Sequence, residues 1–280
     1  MPQTNVRDLV QHASRHGYLV SSFTVNGADE IQAVVTAAEA NRAPAIIAVE
    51  NPSGSFVDPE TRIAVAASII ARATVPVAIE VVSGTGSDQR RVAWPAHASN
   101  VALEGLTADD RAAVACDVEA WASADGCCGS MAADRFGVAF DDEGKKCLQI
   151  GLVRNTIERI RYHFDGPLVV NGDLAWRDGT LPALPRLGVA KINFDRRLRR
   201  SMARANRSIA QKAGDDFRCA MDHVAAALIA EVTECLRNTG ATGRAADVIA
   251  CAARVYKHPQ HRTARQLAPA KEAVESLSLA

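Results

Sequence analysis

A lysine inside an apolar strand is the residue best placed to do chemistry in this chain. Lys191 lies in V-A-K-I-N-F at 189–194. If burial freed its amine from the proton, it could form a Schiff base with a carbonyl substrate. Deep in a core and paired with carboxylates, the same lysine would be structural. A second group is rich in oxygen: Glu80, Glu104, Asp141, Glu143, Asn171, Asp173 and Asp195. Hard oxygen donors suit Mg²⁺ or Mn²⁺ better than Zn²⁺, although carboxylates in such places also pair with arginine. The catalytic candidates are therefore Lys191 and Glu80, and the metal candidates are Glu80, Glu104, Asp141 and Glu143. His12 and His16 stand at i, i+4 on one helix face, but no H-E-x-x-H accompanies them, and they read as surface residues. The seven cysteines are odd in number and scattered, with no C-x-x-C spacing, which is the usage of reduced intracellular thiols.

The elements that must position these residues alternate helix and strand. Thr4 is placed to cap a helix carrying Val6, Leu9, Val10 and Ala13, closed by Gly17. Strands are expected at 18–25, 45–49, 75–82, 101–103, 136–140, 167–171 and 189–194, each a largely apolar run. Helices are expected at 28–43 and, from the Asp58-Pro59-Glu60 start, through Ile63 to Ala73. From Asp195 onward the pattern is helical. One helix passes through Leu198, Met202 and Ile209, and another runs from Phe217 to Asn238. After these comes an alanine-rich tail broken by Pro259 and Pro269. Apolar strands in a βαβα rhythm indicate a parallel sheet covered by helices. A length of 280 residues fits one α/β barrel of the TIM (β/α)₈ type, with one βα unit reduced, plus C-terminal helices. Residues 1–245 form the barrel and its helices, and 246–280 a helical extension. The oxygen ligands all fall at or near C-terminal strand ends, where barrels of this kind keep their chemistry.

A formal net charge of zero with 23% charged residues leaves no nucleic-acid footprint. The N-terminus has no cationic and apolar leader, and no apolar run approaches a membrane span. The expectation is a cytoplasmic protein with neither nucleic-acid nor membrane partners. Arg196-Arg197-Leu198-Arg199-Arg200 reads as a solvated face or as salt bridges to a partner subunit.

Four segments resemble the zinc-dependent class II ketose-bisphosphate aldolases. They are G-Y-L-V-S-S-F-T-V-N-G (17–27), A-P-A-I-I-A-V (43–49), V-P-V-A-I-E-V-V-S-G (75–84), and G-P-L-V-V-N-G-D (166–173) with L-G-V-A-K-I-N-F-D-R-R-L-R (187–199). The third is similar to the family's V-P-V-A-L-H-L-D-H-G, whose Asp is the acid/base and whose following His binds zinc. Those positions are Val82 and Ser83 here. The other two zinc histidines correspond to Asn171 and to the region of Glu143-Gly144. The family's phosphate loop corresponds to Gly172-Asp173-Leu174-Ala175, and a strand-ending serine to Glu50, so anions replace groups that would meet a sugar phosphate. The resemblance implies that Asn26, Asn171, Gly172, Asn193 and Asp195 line the substrate side, and that Lys191 is structural. No zinc or other cofactor is expected, with Mg²⁺ or Mn²⁺ as the metal the carboxylates would take. The resemblance further implies a homo- or hetero-oligomer and a small-molecule ligand. The function it leaves is a scaffold, binding or regulatory subunit, a degenerate aldolase homologue. The alternative is a repurposed carbon–carbon lyase acting on a less phosphorylated carbonyl substrate through Lys191 or a hard cation.

Overall fold

The computed structural model describes residues 4–51, 57–83, 90–94, 119–121, 128–132, 139–140, 146–148, 154, 157–158, 166–171, 175–176, 180–194, 196–210 and 216–257. Helix α1 (Val6–His16) opens the chain. Its cap is Asn5 rather than Thr4: the Asn5 side chain accepts from the Asp8 N–H at 2.8 Å and satisfies one of the donors that every helix start leaves open. Gly17 ends α1 at φ 68, in the left-handed region where a side chain would be strained. Strand β1 (Val20–Val25) follows, then α2 (Ala28–Ala40), β2 (Ala45–Asn51), α3 (Pro59–Ile70) and β3 (Val77–Ser83). At the start of α3, Asp58 accepts from both the N–H and the hydroxyl of Thr61 at 2.7 Å, with proline in the first turn.

The remaining strands are β4 (Arg90–Trp94), β5 (Glu119–Trp121), β6 (Cys128–Ala132), β7 (Ala139–Phe140), β8 (Lys146–Leu148), β9 (Leu168–Asn171), β10 (Ala175–Trp176) and β11 (Val189–Phe194). Eight of them make one sheet in the order β4-β3-β2-β1-β11-β9-β6-β5. The strands from β3 to β6 in that order run parallel, while β4 and β5 pair antiparallel at its two ends. Together with the helices around it, this is a TIM-type α/β fold. Of the strand expected at 136–140, Ala139–Phe140 are described, and they belong to a separate sheet of order β10-β8-β7. The strand expected at 101–103 lies outside the described residues. The final helices are α4 (Arg197–Ile209), α5 (Phe217–Asn238) and α6 (Ala245–Lys257). Helix α6, of 13 residues, lies before Pro259, the first of the expected breaks. Among the described residues no helix is long and apolar enough to cross a membrane.

Strand alternation divides the sheet's side chains between two faces. On the helix-covered face Phe23 and Phe194 stack with centroids 5.4 Å apart, and Ser21 meets Thr239, at the end of α5, at 3.0 Å. The Thr239 carbonyl also accepts from the Leu19 N–H at 3.0 Å, which ties the end of α5 to the entry of β1. The other face carries Ser22 and Thr24 on β1, Ala48 and Glu50 on β2, Glu80 and Val82 on β3, and Lys191 and Asn193 on β11. The ladders place these residues level in the order Ser22 beside Asn193 and Ala48 beside Glu80. A charged pair in so buried a wall needs an internal partner.

His12 is buried at 4% exposure, contrary to the surface position expected from its spacing. The reason is that it falls on the same helix stripe as Leu9 and Ala13, which α1 turns toward β1, β3 and β11. The His12 ring stacks on His16 at 3.9 Å, and its Nδ1 lies 3.1 Å from the Tyr18 hydroxyl. With that hydroxyl donating, the ring is neutral and carries its proton on Nε2, which is buried and has no partner among the described residues. Burial, then the neighbouring His16, hold the His12 pKa below its ordinary value, with Arg244 and Arg15 adding to this and Asp247 opposing it. A histidine whose folded pKa is depressed favours the fold above the unfolded value of about 6.5, and that advantage is lost as pH falls through it. The expected result is a melting temperature that declines between pH 7.5 and 5.5 at constant ionic strength. The decline should be shallower in His12→Leu than in wild type, and equal slopes would show that His12 is not linked to folding.

Candidate functional site

The interior of the sheet is organised by one carboxylate. Glu80, in the middle of β3, accepts from the Lys191 ammonium of β11 at 2.6 Å through Oε2 and from the Ser22 hydroxyl of β1 at 2.5 Å through Oε1. Both charged side chains are 3% exposed. Each strand contributes its group because the parallel register brings the same face of β3, β1 and β11 round to a common centre. Hydrogen bonds to an ionised group are about twice as strong as neutral ones. The pair therefore neutralises two charges that would each be costly alone. The geometry makes Lys191 a donor to a carboxylate. Acting as a nucleophile would require it to lose a proton and with it the charge-assisted bond to Glu80.

Nearer the C-terminal strand ends the groups are neutral or self-paired. Asn193 is fully buried, two residues beyond Lys191 on the same face, and Asn171 lies beside it in the β9–β11 ladder. Asn26 follows β1, and its N–H donates to Glu30 Oε2 at 2.5 Å. Glu30 sits in the first turn of α2 and reaches back over the helix start, the second half of a capping box. Burial pushes the Glu30 pKa up, against the backbone bonds from Asn26 and Gly27 and the charge of Arg199. At the end of β2, Glu50 receives both of its bonds from Arg199 Nη2, at 3.1 and 3.3 Å, while Arg62 donates to the Glu50 carbonyl at 3.0 Å. Arg197 pairs with Glu231 at 2.9 Å, as does Arg204 at 3.1 Å. The basic run after β11 thus makes salt bridges within its own chain, because α4 packs along α5 and beside the end of β2.

The structure brings together Glu80 and Lys191, and it puts Asn26, Asn171 and Asn193 at the same end of the sheet. Gly172, Asp195, Glu104, Asp141 and Glu143 lie outside the described residues. Three participants escaped the reading of the sequence: Ser22, Glu30 and Arg199 as the partner of Glu50. Ser22 had a signal in its parity with Val20 and Thr24, and Glu30 in its place three residues after Gly27. The Arg199–Glu50 pair spans 149 positions and had none. Among the described residues no three His, Cys, Asp or Glu side chains converge as a metal site.

Residues 4–81 match the family model for class-II fructose-bisphosphate aldolase. Over that stretch the chain is similar to the class II aldolases. It is similar in fold to the YdjI aldolase of Escherichia coli K12, at 19% identity and a TM-score of 0.60, over 88% of this chain and 100% of that one. It is also similar to the fructose-bisphosphate aldolase of Campylobacter jejuni, at 13% identity and a TM-score of 0.50, over 85% and 94% of the two chains. No curated protein matches the chain in sequence.

At the described positions that the resemblance assigns to zinc and the acid/base, the residues are a poor match for that metal. Val82, at the acid/base position of the resemblance, is a fully buried hydrocarbon on the face shared with Glu80, and it has no proton to move. Ser83 and Asn171 offer neutral oxygens where imidazoles would be needed, a poor donor set for Zn²⁺. Glu80, the family's neighbouring histidine position, has its charge committed to Lys191.

The buried pair makes a quantitative prediction. Removing one partner should be severe: Lys191→Met or Glu80→Leu is expected to cost about 3–5 kcal/mol in denaturant unfolding. The double variant Lys191→Met/Glu80→Leu should recover most of that loss, short by about 1 kcal/mol for the orphaned Ser22 hydroxyl. Additive losses in the double variant would show that the two charges do not interact.

Proposed function

We propose that this class II aldolase relative uses its barrel as a ligand-binding or regulatory module and does not carry out zinc-dependent carbon–carbon cleavage. The Glu80–Lys191 pair carries this reading. The one lysine and the one carboxylate at the centre of the described interior neutralise each other, and the position above them toward the strand ends is Val82. A retro-aldol step needs a base at the substrate hydroxyl and a Lewis acid or an iminium to accept electrons from the breaking bond. Valine supplies no base, and the donors at Ser83 and Asn171 do not suit zinc. Among the described residues, what remains at the mouth beside the Glu50–Arg199 pair is amide and hydroxyl chemistry from Asn26, Asn193 and their neighbours, which suits recognition of hydroxyl or carbonyl oxygens. As such a module the chain would act in an assembly, with copies of itself or with another subunit.

A second reading rests on the placement of Lys191 on the interior face directly beneath Asn193: a repurposed lyase acting through an iminium. It requires the ammonium to leave Glu80, and the ion pair weighs against that.

The test is direct. Purified protein supplied with Zn²⁺ and fructose 1,6-bisphosphate is expected to release no triose phosphate above the buffer rate. Borohydride reduction in the presence of dihydroxyacetone and short ketoses should leave the intact mass unchanged. Turnover that a chelator abolishes would overturn the reading. A reduced adduct mapped to Lys191 would establish the second one.

A further inference from the structure

We propose that Glu50 and Arg199 form an internal latch that makes the barrel mouth select an uncharged, hydroxyl- or carbonyl-bearing ligand over a phosphorylated one. The inference rests on the mouth being a binding site, as proposed above, and it names the class of ligand that site takes. Glu50 is the penultimate residue of β2 and shares the interior face with Ala48, so its carboxylate stands at the end of the sheet where ligands of such folds enter. Arg199 arrives from the first turn of α4, immediately after β11, and holds both Glu50 oxygens from one nitrogen. Arg62 of α3 fixes the Glu50 backbone from the other side. The carboxylate is therefore held by its side chain and by its main chain, and its side chain is only 19% exposed.

Arg199 is 53% exposed, the kind of guanidinium that ordinarily recognises phosphate through a planar fork. Here one nitrogen of that fork already holds an anion. A phosphorylated ligand would either displace Glu50 or share the guanidinium with it, and in both cases its charge would sit beside the Glu50 carboxylate. Like charges at short range penalise that arrangement at physiological ionic strength, where close pairs lie inside a screening length of about 8 Å. An uncharged ligand meets no such conflict and can bond to the outer edge of the Arg199 guanidinium while the latch stays closed.

Calorimetric titration with inorganic phosphate, on the full chain, tests this. Wild type is expected to show no saturable binding. Glu50→Gln, which keeps the shape and removes the charge, and Glu50→Ser, which opens the site, should each bind phosphate at least about tenfold more tightly. Adding Arg199→Met to either should abolish the gain. Circular dichroism establishes that each variant is folded. Saturable phosphate binding by wild type overturns the proposal by itself, without reference to any variant. So does the absence of a gain in folded Glu50→Gln or Glu50→Ser. A chain that fails to cleave ketose bisphosphates yet binds phosphate would sink this inference and leave the proposed function standing. A chain that cleaves only unphosphorylated ketoses would do the reverse.

Discussion

An ammonium and a carboxylate 2.6 Å apart at 3% exposure set the terms for the rest of this molecule. Neither charge could be buried without the other, and the two arrive on strands separated by 111 residues. Their pairing requires β3, β1 and β11 to be in their observed registers, because a slip of one residue would turn either group to the helix-covered face. The pair thus discriminates among strand alignments that apolar side chains alone would tolerate. Ser22 strengthens the constraint by engaging the second oxygen of Glu80 from the strand between them in the ladder.

The surrounding elements serve that alignment. Phe23 against Phe194 and Ser21 against Thr239 hold β1 to β11 and to α5 from outside. Helix α1 crosses the strands from the N-terminal side, which brings His12 into contact with Tyr18 and near Arg244 and Asp247 of the C-terminal segment. Beginning and end of the described chain therefore meet at one place, and a change of charge there is felt by both.

Much of the fold could be read in the sequence, since its strands are short apolar runs punctuated by Gly, Pro and capping residues. β11 was expected at 189–194 and α5 at 217–238, and both are observed at those residues. The departures have physical causes. Thr4 and Asn5 are both good caps, and the choice between them depends on which side chain reaches the Asp8 N–H. His12 follows the polar-residue rule for a surface and breaks it, because the helix stripe it shares with Leu9 faces the sheet. Of the site, the two charged residues were legible as anomalies, a lysine and a glutamate inside apolar runs. That the lysine would pair with carboxylates was expected, but not that its partner is Glu80, since local pattern carries no information about contacts made across the barrel. The same holds for Glu50, whose charge was visible and whose arginine was not.

The antiparallel strands at the two ends of the large sheet bear on how such a barrel can change over evolutionary time. A parallel strand joins its neighbour only through a crossover of a dozen or more residues, whereas an antiparallel one needs only a short turn. Six residues separate β3 from β4, and six separate β5 from β6. A sheet that sheds a strand-and-helix repeat exposes a raw edge to other chains, and a hairpin can hem that edge with little added sequence. A fold finished in this way can lose repeats at its margin while the strands that carry the ion pair keep their places.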